Sequence, residues 1–172
     1  MYPHRIRLRG PWECEPIGEI APPPRRVIMP CRWLGAGLAG FHGLAKFSRK
    51  FGYPGNADRE TEHLWLTCDG VAGGVEVRLN EQRLCDAPGI SFEFDVTHLL
   101  DTRNHLEITV NGIHETEGVF GEVALEIRKD AYLTAMAIER RDNGLQLQGT
   151  VVGTSPQPLE LYVLIDGRNV DY

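Results

Sequence analysis

The chain has 172 residues, 42% hydrophobic and 24% charged, which is room for one globular domain or a domain and part of another. Its net charge is −6, and no apolar run reaches the roughly 20 residues of a membrane-spanning helix. The four cysteines, Cys14, Cys31, Cys68 and Cys85, form no Cys-x-x-Cys pair, which removes the usual zinc-ribbon and thioredoxin patterns.

The charge is uneven: residues 1–50 carry nine Lys/Arg against three Asp/Glu, and residues 51–172 nine against twenty-one. In the basic start, Arg5, Arg7 and Arg9 alternate with Ile6 and Leu8, which reads as the wet face of a strand. No nucleic-acid or membrane partner is expected. The opening MYPHRIRLRGPWE lacks the apolar core of a secretory leader. If Met1 is the native start, the expectation is a cytoplasmic protein with reduced thiols.

Taken in order, Ile6, Leu8 and Trp12 suggest an opening strand. Residues 15–26 hold Pro16, Pro22, Pro23 and Pro24 and read as a wrapping connection, because proline denies a ladder its N–H. Arg26 to Trp33 reads as a short edge strand stopped by Pro30. Residues 35–43, GAGLAGFHG, contain Gly-x-Gly-x-x-Gly in letters. A strand-like segment follows instead of a helix, so the dinucleotide reading fails and a loop is expected. Lys46 to Phe51 puts Phe47 and Phe51 on one face with Arg49 between them, and Pro54-Gly55-Asn56 ends the run.

Four runs then alternate apolar and polar residues: Leu64/Leu66/Cys68, Val75/Val77/Leu79, Phe92/Phe94/Val96 and Leu106/Ile108/Val110. Period-two alternation means a sheet with one buried face. Turn residues separate the runs at Asp69-Gly70, Gly73-Gly74, Asn80-Glu81 and Ala87-Pro88-Gly89. Asp95 or Thr97 caps a single helical turn. Asn111 to Gly121 is a loop, followed by a strand with Val123, Leu125 and Ile127 inward. The remainder reads as three strands, Leu133–Arg140, Leu145–Val152 and Leu159–Ile165, the first two joined by an Asp142-Asn143-Gly144 turn and the last two by a Ser155-Pro-Gln-Pro158 loop. Without a long amphipathic helix the fold class is all-β, a sandwich or barrel.

Residues 5–128 resemble the N-terminal sugar-binding domain of glycoside hydrolase family 2, the β-galactosidase, β-glucuronidase and β-mannosidase group. Gly10-Pro-Trp12, Met29-Pro-Cys-Arg-Trp33, Phe47-Ser-Arg-Lys-Phe51, Leu66-Thr-Cys-Asp-Gly-Val71, Val77-Arg-Leu-Asn80, Phe94-Asp-Val-Thr97 and Gly118-Val-Phe-Gly-Glu-Val-Ala-Leu125 are similar to family motifs and stand in the family's order. The resemblance implies a galactose-binding-like jelly roll over residues 1–128. It implies a partial immunoglobulin-like set of strands over 129–172, where about seven strands would complete such a domain. One departure is Asn80-Glu81 in place of the family's Asn-Gly turn. The larger departure is the catalytic barrel, which takes about 250 residues and has no room after residue 128.

The implied function is a non-catalytic carbohydrate-binding or accessory module, not an enzyme. The alternative is a structural or protein-interaction module that dimerises through its C-terminal strands. The six histidines show no metal-ligand spacing, no Gly-x-Ser-x-Gly elbow occurs, and neither a cofactor nor a transition-metal site is expected; the jelly-roll resemblance leaves room for a structural calcium ion, which no Asp-rich loop demands. Glu115 and Glu117 read as an acidic loop and not as a catalytic pair. Sugar recognition needs aromatic faces beside amides and carboxylates. The candidate carbohydrate-binding residues are Trp33 and His42 in the glycine-rich region and Asn111, His114 and Glu115 in the second loop, because the matching loops approach the sugar site of the family's barrel.

Overall fold

The computed structural model describes residues 4–55, 61–86, 90–142, 144–156 and 158–171. The expected turn positions Asn56, Ala87-Pro88-Gly89, Asn143 and Gln157 lie outside the described residues. The chain divides into two compact units, Met1–Arg128 and Lys129–Tyr172, and no helix occurs among the described residues.

The first unit is a sandwich. One sheet has four strands in the order β1 (His4–Arg7), β13 (Val123–Lys129), β6 (Glu62–Cys68), β10 (Phe92–Asp95). The other has six, in the order β3 (Arg25–Val27), β2 (Trp12–Ile17), β5 (Gly43–Gly52), β11 (Arg103–Gly112), β8 (Gly74–Leu79), β9 (Gln82–Asp86). A small sheet of β4 (Cys31–Arg32), β12 (Gly118–Val119) and β7 (Val71–Ala72) closes one end. The alternation dictates the layers: Leu64, Leu66, Val77, Leu79, Leu106, Ile108 and Val110 are buried in one core with Trp12, Phe47 and Leu125. Each such side chain contributes about 1.5–3 kcal/mol on burial.

Several elements differ from the sequence expectation. The opening is two strands, β1 and β2. The proline-rich connection begins only at Gly18, because Pro16 sits inside β2 opposite Ala45. Pairing of β2 with β3 ends at Cys14–Arg25, so Pro16 has a strand on one side alone, where its missing N–H costs no ladder bond. Pro30 separates two short strands in different sheets, β3 and β4. Phe94, expected inward, does pack against the core, half-buried and stacked on Phe92 at 5.3 Å. Trp65 faces away from the core and is covered by Arg128, whose guanidinium lies 4.5 Å from the ring centroid. Glu93 and Glu126 pair with that guanidinium at 2.8 and 2.7 Å.

At the end of β10, the Asp95 carboxylate accepts from the Thr97 N–H at 3.0 Å and from its hydroxyl at 2.6 Å. The turn closes with Leu99 N–H donating to Val96 O. The cap expected there is present as a turn.

The second unit holds two hairpins. β14 (Ala131–Arg141) pairs with β15 (Gly144–Gly153), and β16 (Val163–Ile165) pairs with β17 (Arg168–Asp171). The expected strand Leu159–Ile165 is therefore corrected. Only its last three residues are strand, and they pair forward across Asp166-Gly167 instead of back onto β15. Asp166 and Gly167 both hold positive φ, 51° and 76°, the pair that a two-residue hairpin turn needs. That local closure wins over a three-stranded sheet.

Candidate functional site

The site forms where β4, the start of β5 and the end of β11 meet. Trp33 follows β4 and is only 1% exposed. Its indole N–H donates to Phe41 O at 2.7 Å, and its ring stacks on Phe41 with centroids 6.2 Å apart and planes 15° apart. The space for the ring exists because residue 112 is glycine; a Cβ there would lie 2.7 Å from the indole. Trp33 therefore offers no face to a sugar. The expectation that it stacks on a ligand is replaced by a structural role: it ties three segments together.

The glycine-rich segment is a compact turn. Ala36 N–H donates to Arg32 O at 2.9 Å, Leu38 N–H to Trp33 O at 3.1 Å and Phe41 N–H to Leu38 O at 3.0 Å. Gly37 and Gly40 hold φ of 69° and 71°, backbone that side chains other than glycine rarely adopt. The Arg25 side chain lies against Gly37, in space that a Cβ would need.

His42 comes next and is exposed. Its Nδ1 is 3.0 Å from Ile113 O. A carbonyl only accepts, so Nδ1 is the donor in this bond and Nε2 is left facing away from it. This bond joins the glycine-rich turn to the loop that follows β11. That loop is folded around Glu117, whose carboxylate accepts from the N–H groups of Ile113 and His114. Arg32 donates to Thr116 O at 2.6 Å and lies over the Phe120 ring at 4.5 Å. Glu117 is thus engaged with the backbone. Asn111, His114 and Glu115 are exposed, with Asn111 opposite Leu44 of β5 and Gly74 of β8.

Four of the five expected residues are exposed, the His42–Ile113 bond brings the glycine-rich turn against the loop that carries His114 and Glu115, and Trp33 is buried. Sequence reading missed Arg32 as a tether, and it missed a neighbouring open cleft of about 450 Å³ between Ile17–Pro22 and Ala39–His42. Ile20, 94% exposed, was the available signal, an isoleucine stranded in a proline-rich connection. Among the described residues no group of three or more His, Cys, Asp or Glu could hold a metal ion. Asn80-Glu81 is the turn between β8 and β9, at the opposite end of β8.

No family model matches the sequence, and no curated protein matches it. Solved structures do. A β-glucuronidase of Faecalibacterium prausnitzii superposes with a TM-score of 0.69 at 17% identity, over 90% of this chain and 36% of that one. A Bifidobacterium dentium β-glucuronidase complexed with coumarin-3-O-glucuronide gives 0.67 at 18%, over 88% and 36%. A β-D-mannosidase of Dictyoglomus thermophilum gives 0.63 at 17%, over 84% and 25%. The chain spans about a third of the length of the glucuronidases it matches. These residues share the fold of a part, a quarter to about a third, of these β-glucuronidase and β-D-mannosidase chains.

Proposed function

We propose that the chain is a non-catalytic carbohydrate-binding or accessory module related to the β-galactosidase and β-glucuronidase type of glycoside hydrolase. The observation that carries this reading is the His42–Ile113 bond. It joins the loop that carries His42 to the loop that carries His114 and Glu115, all three exposed, which is what supports reading them with Asn111 as one binding surface. Amides, carboxylates and imidazoles on a rigid base are what hydroxyl-rich ligands require. Trp33 and Glu117 supply the rigidity, and the fold shared with glucuronidases and a mannosidase supplies the ligand class.

Two measurements test the reading. Titration with neutral sugars and uronates, followed by NMR, is expected to shift His42, Asn111, His114 and Glu115. Shifts confined to the far end, around Asn80 and Asn104, reject the site. Aryl galactosides, glucuronides and mannosides are expected to stay intact, since a glycosidase needs two carboxyls about 5 or 6.5–9.5 Å apart across the bond and Glu117 is held by backbone N–H groups. Turnover that Glu115→Gln abolishes would overturn the non-catalytic assignment.

A further inference from the structure

The β14–β15 hairpin has two chemically different faces. Residues directly opposite in an antiparallel pair share a face. Leu133 lies opposite Val151, Ile138 opposite Leu147 and Arg140 opposite Leu145; on the other side, Thr134 lies opposite Thr150, Ala137 opposite Gln148 and Glu139 opposite Gln146. A bulge between Thr134 and Ala137, with Ala135 at φ 51°, keeps the alternation in phase. It sets Met136 on the first side, over Gly149, where a Cβ would strike its sulfur. One side is thus apolar except for Arg140, and the other is polar beyond the Tyr132–Val152 pair at the base of the hairpin.

The apolar side is uncovered. Leu133, Met136, Ile138, Leu145, Leu147 and Val151 are between 40% and 67% exposed. A two-stranded hairpin is marginal in water unless something buries its apolar side, and a contiguous exposed patch of this kind marks an interaction surface.

We propose that this side is a homodimerisation surface on which the same hairpin of a second copy stacks face to face. The six side chains expose on the order of 600 Å² per chain, so stacking two copies removes about 1,200 Å², above the roughly 1,000 Å² that a specific interface has to clear. A second copy matches in shape as well. Two pleated ribbons pack about 10 Å apart with their side chains interleaved, and both polar sides stay wet. The only formal charge among these opposed pairs on the apolar side, Arg140, stands near the hairpin tip opposite Leu145. A twofold axis through the middle of the ribbon sets the two tips at opposite ends, so the two guanidinium groups do not meet. This inference is independent of the sugar site.

Light scattering on the full chain tests it. At roughly 50 µM, a concentration at which a micromolar complex is formed, the mass is expected to be twice 19.3 kDa and to fall on dilution. Leu147→Glu, which puts a carboxylate in the middle of the apolar side, is expected to move the dissociation midpoint at least about tenfold upward in concentration. Gln148→Glu on the polar side is expected to leave it unchanged. Trp12, Trp33 and Trp65 all lie in the first unit, so unaltered tryptophan emission shows that the sandwich is intact in each variant. A second readout does not depend on hairpin stability: Met136→Cys, near the twofold axis, is expected to form an interchain disulfide on mild oxidation, and Gln148→Cys is not. A native chain that stays monomeric, including one that captures a different polypeptide on this side, overturns the proposal. So does a dimer indifferent to Leu147→Glu, or cross-linking through residue 148 in place of 136.

Discussion

Asn80 and Glu81 hold φ of 50° and 68°, the two left-handed residues of a tight turn between β8 and β9. Asparagine suits that backbone, and its side chain is fully used: Nδ2 donates to Leu99 O at 2.8 Å and to Asn104 Oδ1 at 2.9 Å, and Oδ1 accepts from His105 N–H at 2.8 Å. Glutamate gains nothing comparable from a left-handed backbone. Glu81→Gly is therefore expected to stabilise the chain by about 1 kcal/mol, the steric cost of a left-handed side chain less the entropy of glycine. Asn80→Ala is expected to cost about 2–3 kcal/mol by orphaning its partners; urea unfolding measures both. The thiols give a pH dependence. Burial, with a smaller contribution from Cys31, pushes the Cys14 thiol up to about 12, and burial pushes Cys68 up to about 11, from an ordinary 9.0. Between pH 9 and those values the unfolded chain releases protons that the folded chain keeps, so stability falls as pH rises, by on the order of 1 kcal/mol per pH unit per thiol. Thiol titration at pH 8 is expected to find Cys85, the half-buried one, reacting well ahead of Cys14, Cys31 and Cys68. At this scale the sequence showed which residue types could meet a sugar. It did not show that Trp33 is spent inside, because its indole partner Phe41 O and the notch at Gly112 are tertiary contacts with no local signature.

Elements were easier to read than the contacts between them. β6, β8, β10 and β11 follow directly from the alternation of Leu64 to Val110, since burial on one side leaves a period of two in the sequence. The strand at 159–165 was misread because alternating leucines fit a strand whether or not a partner ladder exists. Asp166-Gly167 redirected the pairing to β17. The rim of the site depends on an element-level fit of this tertiary kind, β4 to β11 across a missing side chain. Gly112→Ala would place its Cβ 2.7 Å from the Trp33 ring, with Gly43 on the neighbouring strand. The ring is buried and cannot yield without moving the Trp33–Phe41 stack. The expected outcome is a loss of roughly 1–3 kcal/mol, the usual cost of overpacking, with altered tryptophan emission and weakened NMR contacts between His42 and Ile113. An alanine tolerated without change in either would mean that Trp33 does not anchor the rim.

The two units of the molecule have comparable ladders and very different burial, which separates hydrogen bonding from packing as a source of stability. β11 pairs with β5 over ten positions, and its Leu106, Ile108 and Val110 are 0% exposed. β14 pairs with β15 over nine positions, yet every residue of β15 is exposed. A backbone hydrogen bond is worth only about 0.5–1.5 kcal/mol net of water, so the second ladder by itself does not offset the entropy of ordering its strands. Amide hydrogen exchange on dilute protein is therefore expected to divide sharply. β5, β8 and β11 exchange only through global unfolding, and β14–β15 exchanges through local opening, faster by orders of magnitude. Equal protection in the dilute chain would mean that the hairpin is covered from within the same chain and that ladder length governs here. Protection of β14–β15 that rises with protein concentration, while β11 stays constant, would identify the missing cover as a second copy, because only an intermolecular contact responds to concentration by mass action.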